Sequence, residues 1–254
     1  MSRKKKTKGF VVVASANFYY YVSAINLIHS IKEFCPDSKV CLVTEEKFLD
    51  KGADIADDIV ICGDHKRDKI WGMSNCPYDK CFYIDADCEV VHEDIKTVFD
   101  KFDGNDVLFT ALVEERSYIY AEYGWGTEGL KFDWCGGVCL FDKSKPLVKT
   151  FLDDWYDLTV KQYEGSWWPT KENGERNYDQ FPKSLARWDQ FSLWWLLNRE
   201  EKYKKLKVGR LDKEEDARWN HFYGYAWDHT NGKEPVIQHY SASQAKADMR
   251  NDYR

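Results

Sequence analysis

The sequence has no surplus of positive charge, no long apolar run, no C-x-x-C cysteine pair and no glycine-rich phosphate loop after its first strand. Each absence removes a class of function. The formal net charge is -6 over 254 residues. A general nucleic-acid binder draws its affinity from neutralised phosphates, so nucleic acid is not an expected partner. Basic residues gather at the start, Arg3 to Lys6 and Lys8, and no apolar segment of sufficient length follows them. Phe10 to Ala14 is too short for a secretory signal or a bilayer span, and no transmembrane segment is expected. The eight cysteines are Cys35, Cys41, Cys62, Cys76, Cys81, Cys88, Cys135 and Cys139, none in C-x-x-C spacing. They lie mostly in or beside apolar runs, as buried free thiols in a reducing compartment do, so the expected location is cytoplasmic.

The turn after the first strand carries neither G-x-G-x-x-G nor G-x-x-x-x-G-K-[ST], and the one G-x-G-x-x-G in the chain, Gly124 to Gly129, opens no expected helix, so neither dinucleotide redox chemistry nor P-loop phosphoryl transfer is indicated. The glycine-rich opening of sugar-nucleotide pyrophosphorylases is missing as well. What is present centres on Lys80 to Val91, KCFYIDADCEVV. An apolar run leads into Asp85-Ala86-Asp87, which reads as a buried strand carrying two carboxylates at its C-terminal end. Strand side chains alternate, so the two acids are expected on one side. There they repel and their pKa values rise unless a cation lies between them, and a divalent metal is the economical answer. The crevice beyond the carboxyl ends of an open α/β sheet suits a nucleotide or phosphate held through that metal. Solvated turn acids are the plainer reading, but no second D-x-D occurs in the chain, and this one follows a strongly apolar run.

Around this stretch the chain alternates strands and helices, the signature of a parallel α/β sheet. Strands are expected at Phe10 to Ala14, Lys39 to Val43, Asp58 to Cys62, Asp106 to Ala111, Phe132 to Phe141 and Pro235 to Gln238. Helices are expected from about Tyr19 to Phe34, Asp68 to Asn75, Glu93 to Phe102, Pro146 to Tyr163 and Ala186 to Asn198. Residues 1–8 read as a basic, flexible terminus and 9–254 as one domain, divided into halves at 9–112 and 113–254. Tyr19 to Tyr21 sit where the first turn meets its helix, and at least one is placed to stack on a base. Lys69, on the second helix, is either a cation facing the acidic crevice or a solvated surface lysine. Gly136-Gly137 permits close approach to a ligand or, equally, a bulge. Residues 113–131 suit a loop near a site, and 165–185 a flap over an acceptor. Asp189, in the first turn of its helix, has a plain role in stabilising the helix dipole. His239 closes the last strand, and Lys246 follows seven residues on.

In this order the motifs resemble the GT-A glycosyltransferases, most closely the glycogenin-like and galactosyltransferase-like enzymes of glycosyltransferase family 8. The resemblance covers most of the chain. It implies an α/β, Rossmann-like nucleotide-diphosphosugar transferase domain with a mixed central sheet flanked by helices. It implies a UDP-sugar or similar donor held through Mn²⁺ or Mg²⁺, and a glycan or other hydroxyl acceptor. Asp85, Asp87 and His239 would be the metal ligands, and one imidazole among oxygens leans toward Mn²⁺. Asp85 or the Ala86 backbone would reach the ribose, Tyr20 or Tyr21 would stack on the uracil, and Lys246 would meet the diphosphate. Lys69 would meet the diphosphate or the donor sugar, and Asp189 and Gln190 would face the anomeric carbon. The chain departs from the family at Trp134-Cys135-Gly136-Gly137, where Asn-x-Gly is usual, and at Ala242 to Met249, which lacks Gly-x-x-Lys-Pro-Trp.

The resemblance implies sugar transfer with retention of configuration, by same-face attack assisted by the departing phosphate. Asp189 is the one nameable nucleophile for a double displacement, and Asp228 or a Glu of the 113–131 loop would be the base of an inverting enzyme. A sugar-nucleotide nucleotidyltransferase and a non-catalytic carbohydrate-binding protein are the rivals.

Overall fold

The computed structural model describes residues 7–49, 51–112, 133–167, 188–211, 216–223, 230 and 232–240. The 113–131 loop, most of the 165–185 flap, Asp228 and Lys246 lie outside them. The strands are β1 (Lys8–Ala14), β2 (Val40–Thr44), β3 (Asp58–Ile61), β4 (Lys80–Asp85), β5 (Cys88–Val90), β6 (Val107–Leu112), β7 (Asp133–Asp142), β8 (Val208–Arg210), β9 (His221–Phe222) and β10 (Ile237–His239). The α-helices are α1 (Phe18–Phe34), α2 (Asp68–Asn75), α3 (Pro146–Tyr163), α4 (Asp189–Arg199) and the single turn α5 (Asp216–Trp219). Glu93–Phe102 is helical, as its pattern implies, but wound as 3₁₀.

Seven strands form the main sheet in the order β3-β2-β1-β4-β7-β6-β8. β3, β2, β1 and β4 run parallel, while β7 runs antiparallel to both β4 and β6, so the sheet is mixed rather than parallel throughout. β1 is buried on both faces, which explains its unbroken apolar run. Phe10, Val12 and Ala14 pack beneath α1 with Ala24, Leu27 and Ile28. Val11 and Val13 face the other way, toward Ile70 and Met73 of α2 and Trp155 of α3. Helix α2 lies so close to the sheet that a Cβ on its Gly72 would stand 2.6 Å from Val13 Cγ2. Among the described residues no helix is long and apolar enough to cross a membrane.

The Lys80 to Val91 stretch is two strands, not one. β4 ends at Asp85, the chain turns through Ala86-Asp87, and β5 leaves for a small second sheet of order β5-β10-β9. The glycine pair does bulge. Phe109 faces Cys139 and Thr110 faces Cys135, so Gly136, Gly137 and Val138 have no partner on β6.

Candidate functional site

β2 and β3 lie on one side of β1 and β4 on the other, so the topology switches direction between β1 and β4. In an open α/β sheet a crevice opens there beyond the strand ends. A cavity of about 400 Å³ occupies the place, lined by Ser15, Ala16, Asn17 and Tyr20 after β1, and by Asp85, Ala86 and Asp87 after β4. Lys66, Arg67 and Lys69, from the approach to α2 and its first turn, complete the wall. Ala16 holds a left-handed φ of 64°, and its N–H donates to Glu45 Oε1 at 2.5 Å. A non-glycine residue in that region is costly and is found where a site over-determines the backbone.

Strand pairing brings His239 to the acids. β10 runs antiparallel to β5 with His239 opposite Cys88, and the Tyr240 N–H donates to the Asp87 carbonyl at 2.8 Å. His239 Nε2 then lies 3.3 Å from Asp87 Oδ1. Its other nitrogen, Nδ1, lies 2.8 Å from Asn220 Oδ1, and Asn220 Nδ2 donates to Thr110 Oγ1 at 3.0 Å. With Nδ1 donating to the Asn220 carbonyl, a neutral ring turns its Nε2 lone pair toward a carboxylate. The Phe222 ring stacks on the imidazole at 4.6 Å. Two acceptors facing each other require a cation between them or a proton on the ring, and an outer-shell carbonyl on the far nitrogen is what metal-ligating histidines use. The donor set therefore fits a divalent metal.

The expected triad of Asp85, Asp87 and His239 is only partly assembled. The ligand atoms that all lie within 4.8 Å of one another belong to Asp87, Cys88 and His239. Cys88 is fully buried, and burial, with Asp87 and Asp85 nearby, pushes its thiol well up, so it is held protonated. Asp85 commits Oδ1 elsewhere: Tyr83 donates to it at 2.5 Å and Lys69 Nζ lies 3.4 Å away. Its Oδ2 lies beside Gly137, where a built Cβ would meet that oxygen at 2.6 Å and His239 Cε1 at 3.3 Å. Burial raises the Asp85 carboxyl; Lys69 opposes the rise and Asp87 adds to it.

Lys69 is not a solvated surface lysine. Its Nζ lies 2.8 Å from Asp189 Oδ2, and Arg67 approaches the other Asp189 oxygen at 3.6 Å. Burial works against the Lys69 charge, but Asp189 and Asp85 outweigh it and hold the ammonium protonated. Burial likewise raises the Asp189 carboxyl, but Lys69 and Arg67 reverse this and leave it ionised, below the usual carboxylate range. Asp189 thus does more than stabilise its helix dipole; it anchors the pocket's cations from behind. Neither Asp189 nor Gln190 is among the residues that line the cavity. Gly136 gives Asp189 its room, since a Cβ there would meet Oδ2 at 2.9 Å and the Trp155 ring at 3.0 Å.

The tyrosines separate cleanly. Tyr20 lines the cavity, while Tyr21 is 1% exposed and its ring stacks against Phe18. The roles of Asn220 and Tyr83 were not foreseen. Asn220 carries no local signal, whereas Tyr83, two residues before Asp85 on one strand, has the alternation that would have marked it.

No family model matches the sequence, and no curated protein matches it. Solved structures do. The galactosyltransferase LgtC, solved with donor and acceptor sugar analogues, superimposes with a TM-score of 0.53 at 14% identity over 96% of this chain and 95% of that one. Mouse xyloside xylosyltransferase 1 matches with a TM-score of 0.53 at 12% identity, over 92% of this chain and 98% of that one. The bifunctional glycosyltransferase WbbM reaches a TM-score of 0.59 at 12% identity, over 97% of this chain but 50% of its own. The chain has the GT-A fold, with solved glycosyltransferases among the structures that share it.

Proposed function

We propose that the chain is a metal-dependent glycosyltransferase that moves a sugar from a nucleotide diphosphate, with UDP the expected nucleotide, to an acceptor hydroxyl with retention of configuration. The observation that carries this reading is one cavity at the sheet's switch point holding Asp85 and Asp87 on one wall and Lys66, Arg67 and Lys69 on another. A polyanion bridged by a cation satisfies both walls at once. Asp87 and His239, with the free oxygen of Asp85, would hold Mn²⁺ or Mg²⁺, which when bound neutralises the leaving diphosphate as a Lewis acid. Tyr20 offers its ring to the base, and Ala86, whose backbone would reach the ribose, lines the same cavity. Lys69 stays protonated near Asp85 and is placed to meet diphosphate charge. Lys246 is assigned to the diphosphate by the resemblance alone, as is Gln190 to the donor sugar.

Retention through a covalent sugar on Asp189 is disfavoured, because both of its oxygens are engaged by Lys69 and Arg67. Same-face attack assisted by the departing phosphate remains. The test is a screen of nucleotide sugars with Mn²⁺, scored by release of free nucleotide diphosphate. One active donor and its loss in Asp87→Ala support the reading. Unchanged turnover in that variant, or no binding of any nucleotide sugar, overturns it, and release of pyrophosphate would identify a nucleotidyltransferase.

A further inference from the structure

Away from the donor pocket, at the other end of β4, two thiols touch. Cys76 caps the C-terminus of α2, its N–H donating to the Gly72 carbonyl at 2.9 Å, and Cys81 is the second residue of β4. Their Sγ atoms are 3.2 Å apart. Backbone carbonyls flank the pair, that of Met73 3.3 Å from Cys76 Sγ and that of Tyr78 3.2 Å from Cys81 Sγ, and the single S–H of Cys81 turns either to Tyr78 or to Cys76. Lys143 brings an ammonium to the same turn, donating to the carbonyls of Cys76 and Ser74. A thiol donor on one side and a cation on the other is the environment that stabilises a thiolate. A second sulfur contact, Cys139 to Met73 at 3.6 Å, pairs a thiol with a thioether and can form no disulfide.

We propose that Cys76 and Cys81 are a redox couple, oxidised by hydrogen peroxide to an intramolecular disulfide. The Cys76 thiolate attacks the peroxide; the O–O bond breaks, a sulfenic acid forms and, with one proton taken up, water leaves. Cys81 sulfur then attacks Cys76 sulfur, the S–O bond breaks, and the hydroxyl departs as a second water with the Cys81 proton. Two thiols lose two electrons and two protons, and the peroxide is reduced to water. The contact shortens from 3.2 Å to a bond of about 2.05 Å. The link ties the end of α2 to the start of β4, the elements that carry Lys69 and Asp85. Burial alone would raise both thiols, but the hydrogen bond from Cys81 and the Lys143 charge bring Cys76 below a free thiol, while Cys81 is pushed up. By contrast, burial, Asp68 and Glu45 push half-buried Cys62 up to about 12.

The experiment treats the full, reduced chain with graded hydrogen peroxide, blocks remaining thiols with iodoacetamide and maps non-reduced tryptic peptides by mass spectrometry. Trypsin cuts at Lys80, so the expected product joins the peptides 70–80 and 81–96. Fragmentation places the bond on Cys81 rather than on Cys88 of the same peptide, and dithiothreitol reverses it. Absence of the linked pair, or a bond on Cys88, overturns the proposal. The wild-type map decides this without any variant. In Cys81→Ser, oxidation is expected to stop at a Cys76 sulfenic acid trapped by dimedone, and a folded variant without that adduct also overturns it.

Discussion

Gly137 and Asp85 share one space. A Cβ built on the glycine would stand 2.6 Å from Oδ2 of the aspartate, and 3.3 Å from Cε1 of His239. The bulge that leaves Gly137 without a partner on β6 also brings its backbone over the acid, so the two readings of the glycine pair, a bulge and a close approach, describe one feature. What approaches is the protein's own carboxylate.

Gly137→Ala is therefore expected to push Asp85 off its position against Tyr83 and Lys69. Donor turnover should fall roughly 10–100-fold, the scale of disturbing a ligand's support, with little change in the urea midpoint because a carboxylate end can move. Gly136→Ala should do the reverse. Its Cβ would meet the Trp155 ring at 3.0 Å as well as Asp189, and overpacking a buried indole costs about 1–3 kcal/mol.

Asn220→Ala removes the carbonyl that holds His239 Nδ1 at 2.8 Å. The imidazole loses its fixed tautomer and orientation, and Mn²⁺ affinity should weaken roughly 10–100-fold. Titration of Mn²⁺ followed by the loss of its free-ion electron paramagnetic resonance signal measures this directly. Unchanged affinity would mean that His239 is no ligand.

Tyr20 and Tyr21 should fail in different assays. Tyr20→Ala removes a ring from the cavity wall, and KM for the nucleotide sugar should rise about tenfold, consistent with ~1–3 kcal/mol per stacked base, while Tyr20→Phe keeps the ring and most of the affinity. Tyr21→Ala empties a site 1% exposed and should cost about 3–5 kcal/mol in urea unfolding.

Acid stability should show one resolvable carboxylate far from the pocket. Asp57 accepts from Lys32 at 2.7 Å, Lys39 at 2.8 Å and the Val40 N–H at 2.9 Å. Burial alone would raise its carboxyl, but these donors prevail and bring it down to about 2. In the unfolded chain the group titrates near 3.9. The folded pKa is the lower, so the stabilisation is present above about pH 4 and disappears as pH falls toward 2. After solvent screening it is worth about 1 kcal/mol. Urea midpoints of wild type and Asp57→Asn should converge over that interval, and parallel pH profiles would count against the assignment.

Local patterns carried much of the fold. β1 and β4 were legible because a strand buried on both faces needs an unbroken apolar run, and α2 and α3 because their apolar residues recur at helical spacing. β8 and β9, with three and two residues, are too short to impose a period and exist through their neighbours. Glu93–Phe102 has a helix's sequence pattern, which does not distinguish 3₁₀ from α winding.

The sequence by itself determined that a buried strand runs into a pair of carboxylates and that cations lie on the helix before it, because these are matters of local spacing. Tertiary structure decided how they combine. β5–β10 pairing sets His239 beside Asp87, a distant Asn220 sets its tautomer, and Lys69 is shared between Asp85 and an Asp189 more than a hundred residues away. Helix rotation chose Tyr20 over Tyr21, since adjacent residues on α1 face about 100° apart and only one can meet the cavity. Proximity across a sheet depends on register and connection, and neither is written in the spacing of the residues it joins.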